Sequence, residues 1–358
     1  MTTFFDCRFI RVEEHDGISR FSSELFGAIS AKSLITALIS DLTQLEKLPA
    51  GTKFLLINDP QSFVRELLLP KKLNALGAKA VFSPMQTMGS LGKKYKLLLT
   101  LHDLIYYQHR TPPYQLSAVI RIVWRLFHLS FTPIRALLGR ADGVVTISET
   151  TRELIIKHRL TTNPVHVVSN ASSMQRLLAA RKMPLSKNLV YMGSFMRYKN
   201  VELLMDSIAL LPEFTLTLCS GISKKRKAQL LRRVHAADQT RVHFLDGVSD
   251  SSYEILLDNS FALVSASEDE GFGIPLIEAM SRGIPVIVSD LTIFREVAAE
   301  AGSYFNKSEV NEFVQRVNEL DNTEKWKAFS QASVNRSAHY SWNKSADQLL
   351  RALGQARE

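Results

Sequence analysis

An acidic, glycine-rich turn stands where a predicted strand leads into a predicted helix in the second half of the chain. The apolar run 261–266 is typical of a short buried strand, and Pro275 opens a helical pattern of apolar residues behind it. Gly273 lets the backbone approach a ligand closely, while Glu270 and Glu278 lie on either side of the junction. Helix N-termini at the carboxyl ends of parallel strands attract phosphate. The turn therefore predicts a site for a ligand that carries phosphate beside pairs of hydroxyls.

A second strand-to-helix turn carries two cations. The predicted strand 188–193 is followed by Arg197 and Lys199, and a helix with regularly spaced apolar residues comes next. Such charges are often only solvated loop residues, and Glu278 could likewise serve only to complement its helix dipole. The chain has no Asp-x-Asp pair and no His or Cys at metal spacing near its cysteines. No metal site is predicted, so the positive charge beside a phosphate must come from the protein.

The whole motif string resembles that of family 4 glycosyltransferases, which have the GT-B fold. The turn with its two glutamates, continued through residues 281–290, resembles the Glu-x7-Glu signature of the family. Residues 16–21 resemble its Gly-Ile-Gly-Arg-Tyr element, 193–200 resemble its diphosphate loop, and 340–342 resemble the aromatic element of its last helix. The resemblance covers essentially the whole chain and is strongest over 190–290.

The resemblance implies a role for each matched residue. It assigns Glu270 to the transferred sugar, Glu278 to the ribose hydroxyls of the donor, and Lys199 and Arg197 to the donor diphosphate. His102, at the end of a predicted strand, would contact the sugar from across the cleft. The remaining predicted donor contacts are Gly17, Phe272, Gly273 and Ile274.

His102 and its neighbour Asp103 also admit a structural interpretation, in which a core histidine is hydrogen-bonded to the residue beside it. In the functional interpretation, a neutral imidazole bonds a sugar hydroxyl or steadies developing positive charge through its lone pair. Asp103 would then orient the ring or touch the acceptor.

Short strands alternate with helices through both halves of the chain, which predicts an α/β fold with parallel, doubly wound sheets. The resemblance implies the GT-B arrangement of two Rossmann-like domains that face a central cleft. We expect an acceptor-binding domain at 1–175, a nucleotide-sugar-binding domain at 176–338, and a C-terminal helix at 339–358 that packs back on the first domain. The opening strand is predicted at Thr2–Ile10, and the chain after Phe305 is predicted to be entirely helical.

The net charge of +9 is unevenly distributed. Residues 1–175 hold 21 Lys and Arg against 13 Asp and Glu, whereas residues 176–358 hold 23 against 22. The segment Tyr114–Gly139 interleaves apolar residues with Arg121, Arg125 and Arg135. It predicts either a surface helix with arginine on its wet side or a surface that rests on anionic lipid.

No apolar run reaches the roughly 18 residues of a membrane span, and the N-terminal residues lack the pattern of a signal peptide. We therefore expect the protein in the cytoplasm, with peripheral contact to the inner face of the plasma membrane left open. Cys7 and Cys219 are predicted to be buried thiols. Nucleic-acid binding is not predicted, because basic charge without a recognition motif is a weak signal.

The resemblance implies retaining transfer of a hexose to a hydroxyl of a glycan or lipid-linked acceptor, in the synthesis of cell-envelope polysaccharide or glycolipid. GDP-mannose is the first donor expected, because the segments at 102–104 and 198–200 resemble those of mannosyltransferases, and a UDP-hexose is the second. No cofactor is expected besides the donor. Two alternatives stay open: a nucleotide-sugar epimerase of the same fold, which needs no acceptor, and a nucleotide-sugar binding protein without catalysis.

Overall fold

A computed structural model describes residues 2–13, 16–112 and 118–354 of the chain. The chain divides into two compact units, residues 1–170 with 341–358 and residues 171–340. The sequence places the first boundary after residue 175 and the second after residue 338. Each unit is built on one parallel sheet.

The first unit holds seven strands within the described residues. They are β1 (Thr2–Asp6), β2 (Thr36–Ile39), β3 (Phe54–Leu56), β4 (Ala78–Ser83), β5 (Lys96–Thr100), β6 (Gly143–Thr146) and β7 (Val165–Val167). The helices between them are α1 (Gly17–Ser30), α2 (Phe63–Ala75), α3 (Ile105–Gln108), α4 (Ala118–Phe127), α5 (Thr132–Leu138) and α6 (Glu149–Lys157). The order in the sheet is β3-β2-β1-β4-β5-β6-β7, so the strand order reverses between β1 and β4.

The second unit repeats this plan with six strands in its described part. They are β8 (Asn188–Tyr191), β9 (Thr215–Leu218), β10 (Val242–Phe244), β11 (Ala262–Ser265), β12 (Val286–Ser289) and β13 (Gly302–Phe305). Its helices are α7 (Val201–Ser207), α8 (Lys224–Leu231), α9 (Asp250–Asp258), α10 (Ile274–Ser281), α11 (Thr292–Ala298), α12 (Val310–Leu320) and α13 (Thr323–Ser337). The sheet order is β10-β9-β8-β11-β12-β13, which reverses between β8 and β11.

The central strands of both sheets are apolar runs, because helices cover them on both faces. Every residue of β6 and β11 is buried. Trp326 of α13 is fully buried in the core of the second unit, where its indole N–H donates to the Phe261 carbonyl at 2.9 Å. Cys7 and Cys219 are buried free thiols, as predicted.

The last helix, α14 (Trp342–Leu353), belongs to the first unit, where it packs against α1. Its buried residues lie at helical spacing and include Ala346, Leu349 and Leu353. Ser345 Oγ also donates to the Ser169 carbonyl at 2.6 Å. The prediction that the C-terminal helix packs on the first part of the chain agrees with these contacts.

The predicted strand Thr2–Ile10 was too long, because β1 ends at Asp6. Arg8 turns back there, and its guanidinium binds Asp6 Oδ1 at 2.7 Å and Glu66 Oε2 at 2.8 Å, with its side chain fully buried. Both carboxylates raise the pKa of Arg8, although burial alone would lower it. This charged cluster ends the strand and fixes the loop that follows.

The chain after Phe305 is helical in its described part, as predicted, but the strand β13 just before it was missed. This strand is short and lies at the edge of the second sheet. Its residues Gly-Ser-Tyr-Phe alternate between half-buried and buried positions. Four residues of mixed polarity give too few periods of alternation to distinguish a strand from a loop.

The segment Tyr114–Gly139 forms two helices where it is described, and residues 113–117 lie outside the described part. Arginine was predicted on its wet side, but apolar side chains share that side: Ile122 is 57% exposed, Val123 60% and Leu126 60%. The ring contacts of α4 are made instead by the half-buried Trp124, which packs on the rings of Tyr106 and His128. No helix in the described residues combines the length and the apolar character that crossing a membrane requires.

Candidate functional site

The second sheet brings the two predicted loops to one edge. Its strands β8 and β11 are direct neighbours at the point where strand order reverses, and parallel sheets bind ligands beyond the carboxyl ends of such strands. The loop 192–200 follows β8, and the loop 266–273 follows β11. The Glu268 backbone N–H donates to the Tyr198 carbonyl at 2.7 Å, so the two loops are in direct contact.

Lys199 and Glu270 form an ion pair across these loops, between Nζ and Oε1. Ser267 Oγ donates to the same carboxylate oxygen at 3.1 Å. The side chains of the pair are only 13% and 14% exposed, so their attraction is screened less than that of a surface pair. The ammonium also lies 5.2 Å from the centre of the Tyr198 ring. The cation assigned to a diphosphate and the carboxylate assigned to a sugar are thus neighbours.

The shape of the first loop follows from a few small or permissive residues. Tyr191 OH donates to the Ser194 carbonyl at 2.6 Å, and a Cβ at Gly193 would stand 2.9 Å from that hydroxyl. Asn200 takes φ +48, a left-handed conformation that asparagine tolerates better than most residues. Its side-chain N–H donates to the Lys307 carbonyl at 2.9 Å. The turn that carries Lys199 is therefore held at both ends.

Arg197 lies in the same turn, with an exposed side chain and no ion-pair partner among the described residues. Arg226 is a residue that the sequence did not indicate: its Nε donates to the Phe195 carbonyl at 3.1 Å, and its Nη1 pairs with Glu202 at 2.8 Å. Burial favours the neutral form of Glu202, but the hydrogen bond from Arg226 keeps the pKa of that carboxyl below its ordinary value. Arg226 belongs to the basic run Lys-Lys-Arg-Lys at 224–227, and nothing in the local sequence marks its contact with the loop.

Gly273 is the N-cap of α10, immediately before its first residue, and takes φ +87. A Cβ there would also stand 3.0 Å from the Phe294 ring, so glycine is required both by conformation and by space. Pro275 stands in the first turn, where its missing N–H costs no helical hydrogen bond. The half-buried Ile274 opens the helix. This N-terminus directs backbone amides and the positive end of a dipole toward the sheet edge.

Two predicted donor contacts are more deeply buried than the sequence suggested. Glu278 lies on α10 and is only 5% exposed. Phe272 is 3% exposed, and its ring packs edge-on against Tyr340 at 5.7 Å between centroids. Its side chain is therefore part of the core of the second unit.

His102 lies at the carboxyl edge of the first sheet, just beyond β5. Its Nε2 is 2.8 Å from the Pro84 carbonyl oxygen, and because a carbonyl only accepts, Nε2 carries the proton and Nδ1 the lone pair. The Phe21 ring packs edge-on against the imidazole at 5.2 Å. Burial lowers the pKa of His102 to about 4, although the Pro84 bond and the charge of Asp16 act in the opposite direction. Asp103 Oδ1 accepts from the Ile105 N–H at 3.0 Å, whereas the Pro84 carbonyl is the hydrogen-bond partner that orients the His102 ring.

Gly17 is exposed at the first residue of α1, and Asp16 caps this helix by accepting from the Ser19 N–H at 2.9 Å. The Ser19 hydroxyl is fully buried and binds Arg11 twice, accepting from its N–H at 2.9 Å and donating to its carbonyl at 3.2 Å. Serine in place of the expected glycine thus anchors the loop before the helix.

We expect the His102 imidazole to stay neutral at pH 7 with its proton on Nε2, and to titrate near pH 4. Between pH 6.5 and 4 the unfolded chain binds a proton that the folded chain excludes, so this residue lowers the free energy of unfolding as pH falls through that window. Nitrogen-15 NMR of the imidazole over pH gives both tautomer and midpoint, with His102→Asn assigning the signal. A midpoint at the ordinary 6.5, or a proton on Nδ1, would contradict this geometry.

A matching family model lies within the second unit of the chain, residues 171–340. Residues 181–336 match the family model of glycosyl transferases group 1. The O-antigen chain mannosyltransferase RfbU of Salmonella typhimurium is 26% identical over 225 residues, which is 62% of this chain and 60% of that relative. The alignment therefore spans less than two thirds of the relative's own length.

Solved structures resemble the chain along almost its whole length. Sucrose-phosphate synthase from Thermosynechococcus elongatus has a TM-score of 0.74 at 16% identity, over 99% of both chains. HepE from Anabaena, solved in complex with UDP and glucose, has a TM-score of 0.73 at 16% identity, also over 99% of both chains. At these identities the likeness shows the fold, and it confirms the predicted class of two parallel Rossmann-like sheets. The chain also carries a glycosyl transferases group 1 domain at residues 181–336, in agreement with the resemblance of its motifs.

Proposed function

We propose that this chain is a retaining glycosyltransferase, which moves a hexose from a nucleoside diphosphate-sugar to an acceptor hydroxyl. The observation that carries the proposal is the meeting of Lys199 and Glu270 at the reversal point of the second sheet, inside the group 1 domain. A cation beside a carboxylate at such an edge suits a ligand in which phosphate stands next to sugar hydroxyls.

In the transfer, the bond from sugar C1 to the diphosphate oxygen breaks, a bond from C1 to the acceptor oxygen forms, and the proton of the acceptor hydroxyl passes to the departing diphosphate. Negative charge grows on the departing diphosphate. Lys199, Arg197 and the amides at the start of α10 would stabilise it as preorganised donors. Glu270 would accept hydrogen bonds from the sugar and Glu278 from the ribose. Because the protein supplies the positive charge, we expect no requirement for a divalent cation or a further cofactor.

His102 would serve the transferred sugar through its Nδ1 lone pair. A lone pair can accept a sugar hydroxyl, or face positive charge that develops on the sugar, only while the ring is neutral. Burial lowers the pKa of His102 to about 4, so the ring is neutral at physiological pH, which supports this role. The contact with the sugar stays a prediction.

Mannose from GDP-mannose is the first donor that we propose, with a UDP-hexose second. The name of RfbU, an O-antigen chain mannosyltransferase, supports mannose and a glycan or lipid-linked acceptor in cell-envelope synthesis. The UDP and glucose in HepE support the second choice. Nothing in the comparisons favours the epimerase. We place the enzyme in the cytoplasm, where nucleotide-sugars would reach it.

The test incubates purified protein with GDP-mannose or a UDP-hexose and a lipid-linked acceptor, with and without EDTA, and reads product and anomeric configuration by NMR. We expect EDTA-resistant transfer, and a fall in kcat of about a hundredfold or more in Lys199→Met and in Glu270→Gln, because each removes a charge at the reacting centre. Lys224→Met, which removes an exposed lysine at the start of α8, is the matched control. Full transfer rates in both site variants, or conversion of the donor without an acceptor, would reject the proposal.

We also propose that α4 contacts an anionic membrane, which would bring a lipid-linked acceptor to the enzyme. The apolar side chains of Ile122, Val123 and Leu126 face solvent, and Arg125 is exposed beside them. Apolar insertion combined with arginine at the headgroups is the chemistry that an anionic lipid surface matches. The excess of basic residues in the first half of the chain would also attract an anionic membrane.

Sedimentation with vesicles of phosphatidylcholine, with or without phosphatidylglycerol, measures this contact. We expect binding to the anionic vesicles that weakens with salt, and a loss of at least about tenfold in Ile122→Ser/Val123→Ser/Leu126→Ser, because three apolar side chains leave the lipid. The matched control is Val64→Ser/Leu67→Ser/Leu68→Ser on α2, where the apolar residues are also exposed. Equal losses in both variants, or equal binding to neutral vesicles, would exclude this surface.

A further inference from the structure

One oxygen of Glu270 receives two hydrogen-bond donors. Lys199 Nζ and Ser267 Oγ both bind Oε1, and no donor in the part of the chain that the structure describes is bonded to Oε2. The two donors differ in kind. Lys199 is a compact charge on a flexible stem, whereas Ser267 is a short, neutral and fully buried side chain.

Ser267 is itself held by the two strands beside it. Ser265 and Ser267 lie with their hydroxyls 3.1 Å apart, and Ser289 Oγ donates to the Ser267 carbonyl at 2.5 Å. Because the Ser267 hydroxyl donates its hydrogen bond to Glu270, it must accept the hydrogen bond that the Ser265 hydroxyl donates. Both neighbours stand at the ends of strands, β11 and β12, so the position of Ser267 is fixed by the sheet.

Lys199 faces a competition that Ser267 does not. A diphosphate carries more negative charge than a carboxylate, and an ammonium whose bonds go to phosphate leaves Glu270 with fewer donors. A neutral hydroxyl is attracted to phosphate less strongly than an ammonium is, and Ser267, which the strand ends hold in place, stays on Oε1. The carboxylate then keeps its orientation after its cation has moved.

We propose that Lys199 changes partner from Glu270 to the diphosphate when donor binds, and that Ser267 is the positioning residue that then holds Glu270 with Oε2 toward the sugar. This inference rests on the proposed function and deepens it. The ion pair lowers the affinity for diphosphate, because binding must break it. In return, once the cation has reached the phosphate, the negative charge of the carboxylate is no longer neutralised by the ammonium, and Oε2 accepts more strongly from the sugar.

The exchange is tested by a double-mutant cycle on the binding of GDP and UDP, measured by calorimetry. Glu270→Gln frees Lys199 and should bind the nucleoside diphosphate about fivefold more tightly or better, a coupling of ordinary size for residues in contact. In a Lys199→Met background the same substitution should leave the affinity unchanged. Glu268→Gln, which removes the same charge two residues earlier in the loop, is the matched control and should have little effect.

An equal gain from Glu270→Gln in both backgrounds would mean simple charge repulsion and would overturn the exchange, as would no gain in either. These outcomes are separate from failure of the proposed function. If the wild-type protein binds neither GDP nor UDP, the proposed function fails. If it binds one of them and the cycle shows no coupling, only the exchange fails.

The role of Ser267 is tested in the transfer assay with Ser267→Ala and Ser267→Thr. Ser267→Ala should lower kcat by about ten- to hundredfold through misorientation of Glu270, while the Kd for the nucleoside diphosphate stays at the wild-type value. Ser267→Thr keeps the hydroxyl and should restore most of kcat. Thermal melts check that both variants fold. A parallel loss of nucleotide affinity, an unchanged kcat in Ser267→Ala, or no rescue by threonine would overturn the assignment.

Discussion

An ammonium group and a carboxylate remain side by side and largely out of water only where the surrounding chain holds both of them. Removing each charge from solvent costs several kcal/mol, and their attraction offsets this only with good geometry and further hydrogen bonds. For Lys199 and Glu270 that geometry comes from the sheet, since β8 and β11 are neighbours although the loops that follow them are far apart in sequence. Ser267 supplies the further bond. The α/β core is thus the condition for the site, because a shift of either strand would separate the pair.

In the first unit, the neutral imidazole of His102 is likewise held by its surroundings. The His102 imidazole is half-buried and neutral, and the Pro84 carbonyl accepts the hydrogen bond of its Nε2. The other side of the ring meets Phe21, whose own ring lies 6.2 Å from that of Trp342 on the last helix. Residues from both ends of the chain therefore complete the surroundings of His102. This explains why α14 belongs to the first unit although it follows the second in sequence.

Much of this could be read from the sequence, because buried strands are apolar runs and turns that bind phosphate need particular residues. The requirement for Gly273 is local, as φ +87 and the space beside Phe294 both demand glycine. The exposure of apolar residues on α4 was not predicted. Helical spacing shows that an apolar face exists but not whether other residues cover it. The contact of Arg226 with the Phe195 carbonyl depends on how α8 packs beside the loop after β8. No local pattern encodes such packing.

The residues that the sequence missed share one property: they bind other side chains or backbone and not a ligand. Ser267, Arg226 and Ser19 are polar groups at buried or half-buried positions, where a lost hydrogen bond is costly and few alternative partners exist. Their hydrogen bonds are therefore directional and persistent. A carboxylate or a loop without such bonds would not keep one fixed orientation. Residues that meet a substrate must be able to release their partners, as we propose for Lys199, whereas residues that position them must not. A sequence motif includes the residues that meet a substrate, because their chemistry restricts the residue type. The positioning residues are determined by the packing of the sheet beneath them.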